Sequence, residues 1–196
     1  MSDKTPPNFL RRIFGASEPS APPLPDPVSV GPTPISGEAD FETPVLRDVW
    51  RHLEAKRGAR AMLCRADIDP GELKAVLPNV GLIEVHRDPL RFRIRLAGTG
   101  WRSDLGFEPT GMWLDDWPHA TQKRLLAMSW GAAAERRQPM RTRRHAVIDG
   151  VAFVFEAMIL PISPDDETVN MLLTVSTPWR SEIAPATVMG VPTRPA

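Results

Sequence analysis

Between residues 88 and 117 the chain changes its period. Phe92, Ile94 and Leu96 alternate with Arg91, Arg93 and Arg95, so a strand here has one dry face and one cationic face. Ala97-Gly98-Thr99-Gly100 closes it, because glycines let the chain turn sharply into short helical pieces. Upstream, Val45, Leu46, Val49, Trp50 and Leu53 recur every three or four residues. That spacing predicts an amphipathic helix from Thr43-Pro44 to Arg57-Gly58, with Thr43 as its cap. A second, short helix is expected at Asp69-Pro70, with Glu72 three residues after the cap and Pro78 as terminator. Residues 80–86 read as a strand, Asp88-Pro89 as a turn and residues 91–97 as the hairpin partner. The longest helical pattern covers residues 119–137, with Leu125, Leu126, Met128, Ala132 and Ala133 on its buried side. Strands at 140–148, 151–162 and 168–177 follow, the first two joined by Asp149-Gly150, a strong hairpin signal. In the middle one Phe153 and Phe155 share a face. Glu156 falls with Met158 and Leu160 on the other, taken here as the outer face.

Two hairpin-linked strands, a helical excursion and three sequential strands make an α+β domain. The expected architecture is a five-stranded antiparallel sheet with helices covering one face. Its domain is expected at residues 43–178, between a disordered Pro-rich tail at 1–42 and a flexible tail at 179–196. One part of the first tail differs. Phe9, Leu10, Ile13 and Phe14 fall at helical spacing with Arg11 and Arg12 opposite, the pattern of a partner-docking motif. The segment is too short to hold a helix alone.

Composition narrows the class. An apolar fraction of 42% with 24% charged residues is that of a globular protein, and a formal net charge of zero gives no global argument for nucleic acid or an anionic membrane. The single cysteine, Cys64, excludes an internal disulfide framework and argues against a Cys-based metal site. The first thirty residues lack the apolar run of a secretory signal, and no stretch approaches the roughly 20 apolar residues of a membrane-spanning helix. A cytoplasmic protein is expected.

Candidate chemistry is sparse. Trp101, Phe107, Met112, Trp113 and Trp117 make an aromatic-rich stretch; Trp101, Met112 and Trp113 are the candidate lining of a small-molecule cavity. A pocket acid or base would have to come from His86, His119, Asp115 or Glu156. Asp115 and Asp116 are adjacent and so do not share a helix face as a carboxylate pair would. Arg136, Arg137, Arg141, Arg143, Arg144 and His145 form a basic cluster that straddles a helix end and a strand start. No nucleic-acid motif accompanies it, and solvated charge is the simpler account. Arg91, Arg93 and Arg95 read the same way, as a wet face that discourages sheet-to-sheet association.

Several pieces together resemble the PAS sensor fold, and more narrowly a single-domain PAS-like family of alphaproteobacteria. They are Leu46-Arg47-Asp48-Val49-Trp50, Arg65-Ala66-Asp67-Ile68-Asp69-Pro70, Leu77-Pro78-Asn79-Val80, Asp88-Pro89-Leu90-Arg91-Phe92, Arg95-Leu96-Ala97-Gly98-Thr99, Thr110-Gly111 and Val169-Asn170-Met171-Leu172-Leu173. The resemblance covers residues 43–177. It implies a non-enzymatic sensory or protein-interaction module of signal transduction, and it brings no catalytic residue and no defined ligand. The chain lacks the flavin-reactive cysteine motif of light-sensing relatives, a defensible haem histidine on the long helix, and any tyrosine to anchor a chromophore. The cofactor is therefore left open. Output is expected in trans, through a signalling partner or a homodimer formed on the sheet face bearing Leu172. A small α+β enzyme and a nucleic-acid-binding regulator are the alternatives.

Overall fold

The computed structural model describes residues 28–148 and 151–180. Six strands form one antiparallel sheet: β1 (Val28–Pro34), β2 (Val80–His86), β3 (Arg91–Ala97), β4 (Met140–Ile148), β5 (Val151–Ile162) and β6 (Met171–Arg180). Their spatial order is β1-β4-β5-β6-β2-β3. Among the described residues three α-helices accompany them: α1 (Pro44–Arg57), α2 (Thr99–Leu105) and α3 (Ala120–Arg136). The α+β antiparallel sheet stands as expected.

Two details need correction. The sheet has six strands, not five, because residues 28–34, expected within the tail, pair with β4. Gly31 and Pro32 look like breakers, and the register does slip between Val30 and Thr33. Pairing survives around the slip because β4 would otherwise present an open edge. Second, helices cover both faces. Leu46, Val49, Trp50 and Leu53 of α1 pack with Met158, Leu160, Ile162, Leu173 and Val175. Trp130, Ala133 and Ala134 of α3 pack with Met140, Ile159, Leu172 and Ile83. Residues that alternate along β5 and β6 thus enter two different cores, as a doubly covered sheet requires. Leu172 is fully buried on the α3 side, so the face expected to offer it to a second copy is closed.

The edge strand β3 keeps the alternation read from its sequence only as far as Arg95. Phe92 and Ile94 are buried and Arg93 and Arg95 exposed, but Leu96, expected on the dry face, is exposed, because the pairing with β2 shifts register between Ile94 and Leu96. Its free edge is partly sealed. Ile94 donates its N–H to the Met112 carbonyl (2.9 Å) and accepts from the Gly111 N–H, and Arg93 bridges to Trp113.

Residues 69–79 differ from the expected helix. Leu73 N–H reaches the Asp69 carbonyl and Leu77 N–H that of Leu73, yet no regular helix forms before the 3-10 turn Leu77–Asn79. The Asp69 carboxylate accepts from Gly71 N–H, an Asx turn, and Glu72 turns away to α1. There it meets Lys56 (2.8 Å) and His52 (3.1 Å). The Lys56 hydrogen bond holds the Glu72 carboxyl below its usual range.

Candidate functional site

The helical excursion between β3 and β4 carries the aromatic residues singled out above. Trp101 on α2 is half-buried, donates its indole N–H to the Asn79 carbonyl (3.3 Å) and lies over Gly81 of β2. A Cβ at Gly81 would come within 2.7 Å of that ring, so only glycine lets the tryptophan settle there. Gly98 and Gly100 permit the approach of α2: a Cβ on Gly98 would lie 2.2 Å from the Leu77 carbonyl oxygen. Met112 is half-buried against the α3-side core. Trp113 lies elsewhere, at the β3 edge, with the Arg91 guanidinium 4.3 Å over its ring and the His86 ring tilted against it, centroids 4.8 Å apart. Trp101 and Met112 therefore pack on one apolar layer, and Trp113 closes the sheet edge. That layer is filled by Trp130, Phe92, Leu114 and Trp117, with Phe92 and Trp130 edge-to-face at 5.7 Å. A concavity lined by Glu54, Arg57, Met62, Leu63, Pro139 and Leu160 lies apart from Trp101, Met112 and Trp113 and measures about 10 Å³, room for one water.

The arginines of β3 are each matched by an acid or a carbonyl. Arg91 meets Asp115 (2.6 Å), Arg95 meets Glu84 (3.0 Å), and Arg93 donates to the Gly111 carbonyl (3.2 Å). Burial would raise the Glu84 carboxyl, but hydrogen bonds from Arg95 and His86 and the charge of Arg93 outweigh it and hold the group below its usual range. The arginine side chains of the two ion pairs are 42% and 60% exposed, and the pairs contribute about 0–1 kcal/mol each.

Glu156 is the surprise. It is 1% exposed, on the α1 side of β5, and not on an outer face. Its two carboxylate oxygens accept from the backbone N–H groups of Glu42 (3.0 Å) and Thr43 (2.7 Å), at the entrance to α1. Thr43 is the residue before the helix, as predicted, but its hydroxyl makes no hydrogen bond. Glu156 supplies the negative charge that a helix N-terminus favours. Arg143 stands opposite Glu156 in the β4–β5 register and pairs with the Glu42 carboxylate. Arg141, two residues along, is desolvated and next to Arg143, which lowers its pKa from the usual value. The buried side-chain nitrogens Arg141 Nε and Arg143 Nε have no hydrogen-bond partner among the described residues. The clue in the sequence was a lone acid inside an otherwise apolar strand. Such a strand is buried on both faces, so the acid is buried too.

The remaining candidates are dispersed. His119 precedes α3 and lies 6.4 Å from the Phe107 ring. Asp115 is exposed and held by Arg91. Among the described residues no three His, Cys, Asp or Glu side chains gather as a metal site would require, and no helix is long and apolar enough to cross a membrane. Phe9, Leu10, Ile13 and Phe14 lie outside the described residues.

A six-stranded antiparallel sheet with a helical excursion between its third and fourth strands defines an α+β module. Residues 42–177 match the PAS domain family, over half of the 196 residues, and the chain belongs to that family. PAS domains are in general sensory modules of signal transduction. No curated protein matches the chain.

Proposed function

We propose that this protein is a non-enzymatic, cytoplasmic PAS module that acts in signal transduction by binding a partner protein in trans. The observation that carries this reading is the use made of the groups an enzyme would need. The Glu156 carboxylate is spent on two backbone amides, Asp115 on Arg91, and His86 on Trp113 and Glu84. They stand on different elements: His86 and Asp115 meet only through Arg91 and Trp113 at the β3 edge, while Glu156 lies buried at the entrance to α1. The docking element of this proposal is the segment with Phe9, Leu10, Ile13 and Phe14. Trp101 and Met112, with Trp113 at the adjoining edge, are the proposed contacts for any small ligand.

Native mass spectrometry of the chain purified from its own cells tests the reading. It reports stoichiometry, retained ligand and partner in one spectrum. The expected result is a stoichiometric complex with a signalling protein, lost when Phe9, Leu10, Ile13 and Phe14 are replaced by Ser. A bare monomer, joined by a turnover that Glu156→Gln abolishes without unfolding, would move the protein to the enzyme class.

A further inference from the structure

Residues 28–43 form a strap across the β4 end of the sheet, and most of it lies before the first residue that matches the family. Its strand β1 is a poor one. Gly31 and Pro32 interrupt it, and the register with β4 slips at that point. The strap is instead gripped by side chains near its C-terminal end. Glu156 takes the N–H groups of Glu42 and Thr43, Arg47 Nε donates to the Phe41 carbonyl (2.7 Å), and Arg143 pairs with the Glu42 carboxylate. Phe41, 1% exposed, is set against Trp50 with ring centroids 6.1 Å apart.

Of these grips, only the one by Glu156 comes from a fully buried charge in the middle of the sheet. Removing the acceptor strands the buried N–H of Thr43 and the half-buried N–H of Glu42. Loosening the strap leaves the Glu156 carboxylate in the sheet with its two amide donors gone and only the β4 arginines Arg143 and Arg141 near it. The contact is thus all-or-none, the condition for a two-state element and not for a gradual loosening. We infer that Glu156 is a positioning residue that latches the strap. Residues 28–43 detach from it as one cooperative unit, baring the outer edge of β4 while β2, β3, β5 and β6 stay folded.

Hydrogen exchange of the full chain, followed by mass spectrometry or NMR, tests this. In the unmodified protein the amides of residues 35–43 are expected to exchange together, by one opening event, faster than those of β2 and β6. In Glu156→Gln, which keeps one acceptor but turns an amide N–H₂ against a backbone N–H, their exchange is expected to rise about a hundredfold. Protection in β2 and β6 should stay unchanged, and Trp50 fluorescence should shift as Phe41 leaves it. Leu172→Ala serves as the contrast, because a purely structural loss there lowers protection throughout the sheet. Strap amides that exchange at the rate of β2 and β6 in the unmodified protein overturn the inference. So does a Glu156→Gln variant that loses protection uniformly. If that variant fails to fold, the exchange pattern of the unmodified chain decides alone.

Discussion

Gly98→Ala probes the join between the sheet and the helical excursion. Gly98 sits at φ −64° and ψ 159°, an extended conformation open to alanine, so the backbone itself is not strained by the change. The added methyl would lie 2.2 Å from the Leu77 carbonyl oxygen, 2.4 Å from that of Pro78 and 2.6 Å from the Pro78 carbonyl carbon. An ordinary carbon–oxygen contact is about 3.4 Å, so the overlap exceeds roughly 1 Å. All three atoms are backbone and cannot rotate aside. Either the turn Leu77–Asn79 or the start of α2 must move, and with α2 goes Trp101. Overpacking costs about 1–3 kcal/mol, and rigid neighbours put this case near 3 kcal/mol. At a urea dependence of about 2 kcal/mol per molar, the unfolding midpoint should fall by about 1.5 M. The matched control is Gly131→Ala inside α3, where a Cβ meets nothing within 4 Å. There alanine gains about 1 kcal/mol of helix propensity, and the midpoint should rise by about 0.5 M. Circular dichroism and tryptophan fluorescence, read on the same samples, check both. A Gly98→Ala midpoint within about 0.3 M of the parent protein would refute the claim that α2 is locked against residues 77–79.

Other changes should act as follows. Leu172→Ala, at a fully buried site on the α3 side, should cost about 2–5 kcal/mol and lower the urea midpoint accordingly. Arg137→Gly should stabilise by about 1 kcal/mol, because Arg137 ends α3 at φ 54°, a left-handed conformation that suits glycine; thermal unfolding would read it. Asp165 takes the N–H of Thr168, the hydroxyl of Ser163 and the N–H of Glu167, which hold its carboxyl well below its usual range. A depressed folded-state pKa gives stability that is present above the unfolded value, about pH 4, and is lost as pH falls toward the folded value. The stability gap between the parent and Asp165→Asn should therefore be constant near neutral pH and shrink below about pH 4. Urea midpoints over that range measure it.

The bounds of β2, β3, β4 and β5 and of α1 were legible because periodicity and turn chemistry agreed there. Asp88-Pro89 and Asp149-Gly150 mark the two hairpins, and Thr43-Pro44 with Gly58 brackets α1. β1 was illegible for a physical reason. Residues 28–34 have the glycine and prolines of a polyproline segment, and only the unpaired edge of β4 makes them a strand. The side taken by Glu156 was illegible for another. A two-residue period says which side chains share a face, but not which faces are covered. β5 carries apolar residues on both, and the expectation of one covered face sent the acid outward. Residues 69–79 failed locally, since Gly71 and Pro78 leave too little room for a regular helix to outweigh its nucleation cost. Of the candidate site, the aromatic stretch could be found from composition, but the split between Trp101 and Trp113 depends on how residues 110–113 run along β3.

The two separate cores give the buried acid one more consequence. The sheet is the only partition between the α1 layer and the α3 layer, and which residues enter which layer is set by strand register. A slip of β5 by one residue would exchange the two sets, and most of the exchanged side chains are aliphatic and would tolerate it. Glu156 would not. It would leave its two amide donors and enter the largely apolar layer of Trp130, Phe92 and Leu172, where burying a carboxylate is costly. One charge in the central strand thus makes the alternative alignment far costlier than any methyl group could. It fixes which way round the sheet is read by the helices on either side.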